Sequence, residues 1–485
     1  MATPIPPNRA RTTTWEVAAA TGGAVARARG DGALAIGITT DSRAVVPGAA
    51  FVALRGETFD GHDFLPEAIA AGATLLVVAR GRGRDLPGVD VVEVDDTLVA
   101  WGAIARTRLR EWRRKSPRGV SVAITGSAGK TTTKEICAAL LSTAGPCHKT
   151  AGNLNNRIGL PAVALGLDDG HAFAVFEMGM SVPGEIAAMA AIAEPDVAVL
   201  VNVGVAHAEG VGGGRAEVAR EKGALLEALS RRSTAIVNAD DPAAMGQIAR
   251  TRARTVETFG RAEGASYRLV GRASLGPRGS RVTVMRRGKV TIELDFPLIG
   301  DAAALDLLAA LAAAEAAHGA PLSPAAVQSA LSTSLEVAGR GSLRSLADGT
   351  LLLDDTYNAN PDSMRAALGA LKELASHGKR RAVAVLGEMK ELGALAETEH
   401  EALGRELVLA GVACVIGCGG LVDLALDRAS KDGVLVFRTA STEEAAEVAC
   451  REVRAGDAVL VKGSRSVGTE RVVSALVSAR GEGTP

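Results

Sequence analysis

The sequence predicts an α/β protein of three domains, and three observations predict it. The chain has 485 residues, more than one core ordinarily organises. Short apolar runs alternate with helical segments in two separate series, the pattern of parallel sheets covered by helices. A region of different texture precedes the first series, and a block of closely spaced extended runs separates the two. The expected boundaries are 1–118, 119–325 and 326–485.

The first region is expected to be a small α/β domain. It holds FVAL at 51–54, an Ala-rich helix near 66–72 and TLLVVA at 74–79. It closes in RTRLREWRRKSPR (106–118), expected as a last helix before a linker at Ser116 and Pro117. The middle region has strand-like runs VSVAIT (120–125), HAFAVFE (171–177), DVAVLVNVG (196–204) and TAIVNAD (234–240). Between them lie helical segments: KTTTKEICAALLS, then PGEIAAMAAIA with Pro183 expected in its first turn, then one opened by Asp241 and Pro242. Residues 265–297 read as a β-meander. The Ala-rich run 302–317 contains Asp306 and Glu315 and reads as a buried helix, not a membrane span. In the third region TLLLDDTYN, RAVAVLGE, VACVIGCG, GVLVFR and AVLVKGS are strands. Ser441 and Glu444 are expected to form a capping box there, and the order βαβαβα predicts a Rossmann-like sheet.

Composition excludes several classes. Hydrophobic residues make up 47%, too many for a disordered chain. The balance of 54 Lys and Arg against 55 Asp and Glu creates no global field for nucleic acid or an anionic membrane. Five cysteines form no CxxC pair and no zinc spacing, and an odd count argues against a disulfide framework. A reducing cytoplasm is therefore expected, as is the absence of a signal peptide, because the first residues contain no apolar core. Aromatics are only 3%, so the cores must pack Ala, Val and Leu. The basic stretch around Trp112 (Arg106, Arg108, Arg110, Arg113, Arg114, Lys115, Arg118) has two readings. It can grip single-stranded nucleic acid, or it is one solvated helix face; the second is expected, with no nucleic-acid partner and no membrane insertion.

The strongest chemical signal is ITGSAGKTTT at 124–133. A strand ends, a Gly-rich turn follows, and a helix starts at Lys130. Backbone N–H groups of such a turn, with the helix N-terminus, cradle phosphate. Gly126, Ser127, Ala128, Gly129, Lys130, Thr131 and Thr132 are accordingly expected to bind ATP. Lys130 would reach the terminal phosphates and the Thr131 hydroxyl would sit on Mg²⁺. Glu177 ends an apolar strand; it either completes the Mg²⁺ shell or is a solvated strand end. Asn153, Asn155 and Asn156 are either substrate contacts or turn formers. Asn360 before Pro361, like Asp241 before Pro242, is either a ligand contact or a helix cap.

Taken together these motifs resemble the Mur ligase superfamily. The resemblance rests on the short G-x-x-G-K-T loop, TAGNLNNRIGLP (150–161), FEMGMSVPGEI (176–186), NVGVAHAEGVG (202–212), the Lys222 helix and NADDP (238–242). In the third region DDTYNANPDSM (354–364), LGEMKELG (386–393), His400 and VKGSRSVGTE (461–470) resemble its D-alanyl-D-alanine-adding branch, MurF. ITTDSRAVVPGAAFVALRGETFDGHDF (38–64) resembles a UDP-sugar domain.

The resemblance implies an ATP-dependent ligase, expected as a monomer. It would join D-alanyl-D-alanine to a UDP-N-acetylmuramoyl-tripeptide through an acyl phosphate. It further implies roles for Ser42 and Arg43 at uridine diphosphate, and for Asn238 and Arg340 at ATP. His207 would hold a second metal. Asp355, Tyr357, Asn358, Asn360 and Arg465 would shape the substrate site. Lys222 would be carbamylated near that metal; the alternative is a solvated helix lysine. One departure stands out: where the family carries a His-Asn-x-x-Asn run, this chain reads GDAAALDLLAA (300–310), with Asp301 and Asp306 the nearest polar residues. A MurE-type amino-acid-adding ligase is the alternative within the superfamily; a P-loop switch and a nucleic-acid-binding ATPase are the alternatives outside it.

Overall fold

The structure is a computed structural model that describes residues 3–483 except 57, 84, 85, 87, 117, 207 and 333–338. Three sheets dominate the described residues, one for each expected region. The first has five strands. Ile38–Thr39, Ala50–Val52, Leu75–Ala79 and Asp90–Val94 run parallel, and Ala24–Arg27 closes the edge antiparallel. The helix Thr97–Lys115 then crosses to the middle region, where Trp101 and Trp112 donate their indole N–H groups to the carbonyls of Ile158 and His171, both at 2.9 Å. Its buried apolar stripe shares one core with the middle region, so this helix joins the two units. The basic face has structural work: Arg106 and Arg110 both bind the Glu194 carboxylate, and Arg113 donates to the Glu194 carbonyl.

The middle sheet has nine strands among the described residues. Val120–Thr125 lies between Phe173–Glu177 and Val197–Leu200, all parallel, which puts three strand C-termini side by side. The expected meander is present and extends the same sheet: Tyr267–Ser274, Ser280–Arg286 and Val290–Phe296 pair antiparallel at its far edge. Separate apolar clusters fill the two faces. One of them takes in the helix Asp301–His318, buried along most of its length because Ala and Leu occupy all sides. The helix Pro324–Ser332 buries Val327, Ala330 and Leu331 in that same cluster. The boundary expected at 325 therefore falls inside a helix of the middle unit.

The third sheet is parallel in the order Leu351–Asp355, Ala458–Lys462, Ala382–Leu386, Cys414–Gly417 and Leu435–Arg438, with Ser342–Ser345 antiparallel at one edge.

Two local expectations are corrected. Pro183 precedes the helix Glu185–Ala193 instead of opening it, because Gly184 takes a left-handed conformation as the cap. The Ser441 side chain does accept from the Glu444 N–H at 3.1 Å. The returning Glu444 carboxylate, however, takes the Ala440 N–H and not that of Ser441. Among the described residues no helix is long and apolar enough to cross a membrane.

Candidate active site

A cavity of about 490 Å³ opens between the middle and third units, at the C-terminal ends of both sheets. Ligands bind open α/β sheets at such edges. The strand Val120–Thr125 delivers the Gly-rich turn, and Gly129 adopts φ 79° as the cap of the helix Lys130–Ser142. No side chain caps that helix, which leaves its first N–H groups for a ligand.

The turn is also tied to the neighbouring strand. Ser127 and Ala128 both donate their N–H groups to Asn202 Oδ1 at 2.9 Å, and Ser127 Oγ accepts from the Gly204 N–H at 2.8 Å. These two amides, expected to face phosphate, are thus committed to Asn202 in this structure, while both residues still line the cavity. Lys130 is half-buried, and its Nζ donates to the Gly126 carbonyl at 2.8 Å. Burial lowers its pKa, against the opposing pull of Glu177.

Thr131 and Glu177 meet: the hydroxyl donates to Glu177 Oε2 at 2.8 Å, and Asn155 Nδ2 donates to Oε1 at 2.7 Å. Glu177 is therefore no solvated strand end. A hydroxyl and a carboxylate side by side next to the Gly-rich turn are oxygen donors of the kind Mg²⁺ prefers, and Thr131 and Glu177 could hold such an ion. Among the described residues there is no group of three His, Cys, Asp or Glu side chains that would cage a metal alone. His207 lies outside the described residues. Asn153 lines the cavity but exchanges hydrogen bonds with Thr3, and Asn156 accepts from the Ile158 and Gly159 N–H groups, a turn role.

Lys222 is fully buried in the helix Arg215–Glu227, so it is not a solvated helix lysine. Its Nζ has no hydrogen-bond partner among the described residues. Burial first, then the Lys130 charge, drives its pKa well down toward the neutral amine. Asn238 lines the cavity, although its side chain already bonds the Val201 carbonyl and the Asp240 N–H. Asp241 caps its helix, as the plain reading of Asp241-Pro242 has it.

Across the cleft Asp355, Tyr357, Asn358, Asn360 and Arg340 line the same cavity. Lys462 Nζ binds Asp355 at 2.6 Å and the Asn358 carbonyl at 2.8 Å. Burial holds the Asp355 carboxyl above its usual range in spite of Lys462. Asn360 is the cap of the helix Pro361–Gly378, and its Nδ2 also donates to the Ser127 carbonyl at 3.3 Å, joining the two units. Arg465 does not line the cavity; it stands 5.7 Å from the Tyr357 ring centroid. Ser42 and Arg43 lie in the first unit, apart from this cavity, where the Arg43 guanidinium pairs with Asp41 and holds that carboxyl below its usual range.

Sequence reasoning missed Asn202, Lys462 and Lys134. Lys134 is buried and donates to the Thr150 carbonyl at 2.9 Å, tying loop 150–156 to the phosphate-loop helix. A lysine on the apolar face of a helix was the available signal. The departure at 300–310 also becomes concrete. Asp301 points outward to Arg261 and Arg272, while Asp306 lies in the cavity wall, 3.4 Å from Thr133 Oγ1.

Three family models match in chain order. A Mur ligase family catalytic domain covers residues 36–107, the Mur ligase middle domain 124–314, and a Mur ligase glutamate ligase domain 339–465. A UDP-N-acetylmuramoyl-tripeptide–D-alanyl-D-alanine ligase from Synechocystis is 37% identical over 91% of this chain and 92% of its own. The chain belongs to the Mur ligase family. Among solved Mur ligases, MurF from Acinetobacter baumannii superposes with a TM-score of 0.85 at 29% identity, covering 98% of this chain and 100% of that one. MurF from Thermotoga maritima, solved in complex with ADP, gives 0.79 at 30% identity over 91% and 97%.

Proposed function

We propose that this Mur ligase adds D-alanyl-D-alanine to a UDP-N-acetylmuramoyl-tripeptide at the expense of ATP, a step of peptidoglycan precursor synthesis. The near-full-length relation to the Synechocystis ligase supports the substrates. The observation that carries the reading in this chain is one cavity lined by both the phosphate loop and the turn 355–360.

The chemistry has two halves. A tripeptide carboxylate oxygen attacks the γ-phosphorus of ATP and ADP leaves, giving an acyl phosphate. The dipeptide amine then attacks the acyl carbon, loses a proton, and phosphate departs as the amide forms. Negative charge grows on the transferring group, where preorganised donors stabilise it. Lys130 releases Gly126 to meet that charge, and the free N–H groups at the start of the helix Lys130–Ser142 hold the phosphates. Mg²⁺, when bound, neutralises phosphate oxygens, and Thr131 and Glu177 are the residues that would hold it. Asn238 and Arg340 serve the nucleotide. Ser42 and Arg43 serve the uridine diphosphate of the precursor. The dipeptide enters beside Asp355 and Asn358.

A neutral Lys222 amine adds to CO₂ and loses a proton, and the carbamate replaces an orphaned amine with an anion beside Lys130. A buried carbamate is tolerated only when paired, and the Lys130 charge is the compensating partner the described residues offer, where the free amine has no hydrogen bond among them.

Phosphate release decides the matter. Turnover should require ATP, the tripeptide precursor and D-alanyl-D-alanine together, and fall to background when any one is withheld. Equal rates with the dipeptide precursor and a single amino acid would assign the chain to MurE-type chemistry instead.

A further inference from the structure

Arg340, Tyr357 and Arg465 come from three separate segments, and the structure gathers them on one ring. Arg340 follows Gly339, where the chain enters the third unit. The Gly339 carbonyl accepts the Tyr357 N–H at 2.9 Å. Gly339 has φ 72°, a conformation that favours glycine, and a Cβ there would stand 3.1 Å from Thr356 Oγ1 and 3.2 Å from Tyr357 N, so the two segments lie close against each other. That approach sets the Arg340 guanidinium 3.9 Å from the Tyr357 ring centroid, close stacking for a cation on an aromatic face. Arg465, in the short turn Arg465–Val467 beyond the strand Ala458–Lys462, lies 5.7 Å from the same centroid and 3.6 Å from Glu470.

Two like charges share one ring, and the negative face of its quadrupole offsets part of their repulsion. Arg340 lines the cavity together with Lys130. Arg465 follows the strand whose Lys462 binds Asp355. The ring therefore stands between the nucleotide side of the cleft and the loop on its acceptor side. With its face occupied by Arg340, Tyr357 has less surface to offer the dipeptide than a free aromatic would.

We infer that Tyr357 is a positioning residue whose ring fixes Arg340 toward the nucleotide and links it to Arg465, so that nucleotide binding and acceptor binding are coupled through one side chain. The inference rests on the ligase reading above for the identity of the two ligands. Its mechanism is geometric: a flexible arginine held by stacking is oriented before the nucleotide arrives, so less freedom is lost on binding.

The test separates the ring from its hydroxyl. The intact enzyme is titrated with a non-hydrolysable ATP analogue without dipeptide, and the KM for D-alanyl-D-alanine is measured separately. Tyr357→Leu, which removes the ring, should weaken the analogue about three- to tenfold and also raise the dipeptide KM. Tyr357→Phe, which keeps the ring, should rescue most of both losses. In an Arg340→Ala background, Tyr357→Leu should add little to the analogue loss, because the partner is already gone.

The inference is overturned if Tyr357→Phe is as impaired as Tyr357→Leu, if Tyr357→Leu leaves the analogue affinity intact, or if the Arg340 and Tyr357 losses simply multiply. Should Tyr357→Leu fold poorly, Arg340→Ala with Tyr357 intact is the second arm: it must reproduce the raised dipeptide KM, and a normal KM there refutes the coupling. A wild-type enzyme that binds the analogue but shows no dipeptide-dependent phosphate release would sink the substrate reading alone, because the analogue titrations still decide the stacking.

Discussion

The two walls of the cleft are built differently. On the middle-unit wall the polar groups are joined to one another inside one domain: Asn202 holds Ser127 and Ala128, and Thr131 and Asn155 hold Glu177. On the third-unit wall the contacts bridge elements that a domain motion would separate. Asn360 reaches Ser127 at 3.3 Å, and Arg272 of the meander binds Glu373 at 2.5 Å. The difference teaches where rigidity and adjustment reside. On the proposed reading, phosphate chemistry falls to the wall whose polar groups are already joined, and the acceptor to the wall tied through contacts between units, an arrangement suited to an enzyme that gathers three substrates.

The largest expected effect comes from the rigid wall. Lys130→Ala should cut turnover by about 10³-fold or more, the scale of losing a transition-state donor. The melting temperature should barely change, since among the described residues the Nζ bonds only the Gly126 carbonyl. A melting loss like that of a core mutation would make Lys130 structural and blunt the contrast between the walls.

Next comes Lys222, buried with no partner among the described residues. Lys222→Ala should lose about 10²-fold in activity, an order-of-magnitude expectation for an electrostatic contributor, and a short-chain carboxylate should restore part of it. Stability supplies a second readout. Burial depresses the folded-state pKa of this lysine, so the unfolded chain binds the extra proton. The stability of the wild type is then fullest above the ordinary lysine value and is lost as pH falls toward the folded one. In CO₂-depleted buffer, where the amine is free, Lys222→Met should accordingly gain more in melting temperature over the wild type at pH 6 than at pH 9. Full activity in Lys222→Ala would end the carbamate proposal.

The third-unit wall should respond through its own pair. Lys462→Met leaves Asp355 buried without its partner, and breaking a buried pair from one side costs about 3–5 kcal/mol, discounted here because Asp355 is partly open to the cavity. Activity should fall about tenfold, an estimate on the scale of 1.4 kcal/mol per factor of ten, with the dipeptide KM rising before that for ATP. Equal shifts in both KM values would argue for general loosening and against a divided cleft.

Legibility in the sequence followed the same divide. The phosphate loop was readable because strand, Gly-rich turn and helix are adjacent in the chain, and the helix does begin at Lys130. Glu177 was readable from its place at a strand end. Asn202 was not, because its bond to the loop spans 75 residues and depends on strand order. The Arg340–Tyr357 stack was equally hidden: it requires the close approach at Gly339, which no local pattern announces. Asn156, Asn360 and Asp241 show the converse, since turn and cap chemistry that was visible locally is what the structure uses.

The smallest effect tests the departure at 300–310. The Asp306 carboxyl lies flat against the last glycine of the phosphate loop, where a Cβ at Gly129 would collide with it, and its nearest hydroxyl is that of Thr133. Burial pushes its pKa well above the carboxylate range, against the opposing pull of Thr133 and then Lys130. The folded state therefore holds this proton more tightly than the unfolded chain does. The resulting stability is complete below the ordinary aspartate value near 3.8 and is lost as pH rises through the folded value. An asparagine has the same shape and carries no such proton. Asp306→Asn should thus melt higher than the wild type at pH 8.5, by about 2–4 °C if roughly 1 kcal/mol is recovered, and the gap should narrow steadily as pH falls toward the ordinary aspartate value. The analogue should also bind the variant more tightly at pH 8.5, because a buried carboxylate beside phosphate repels it. A melting difference independent of pH would mean that Asp306 is accommodated as an anion, and the wall that looks rigid would then have some capacity to rearrange around the charge.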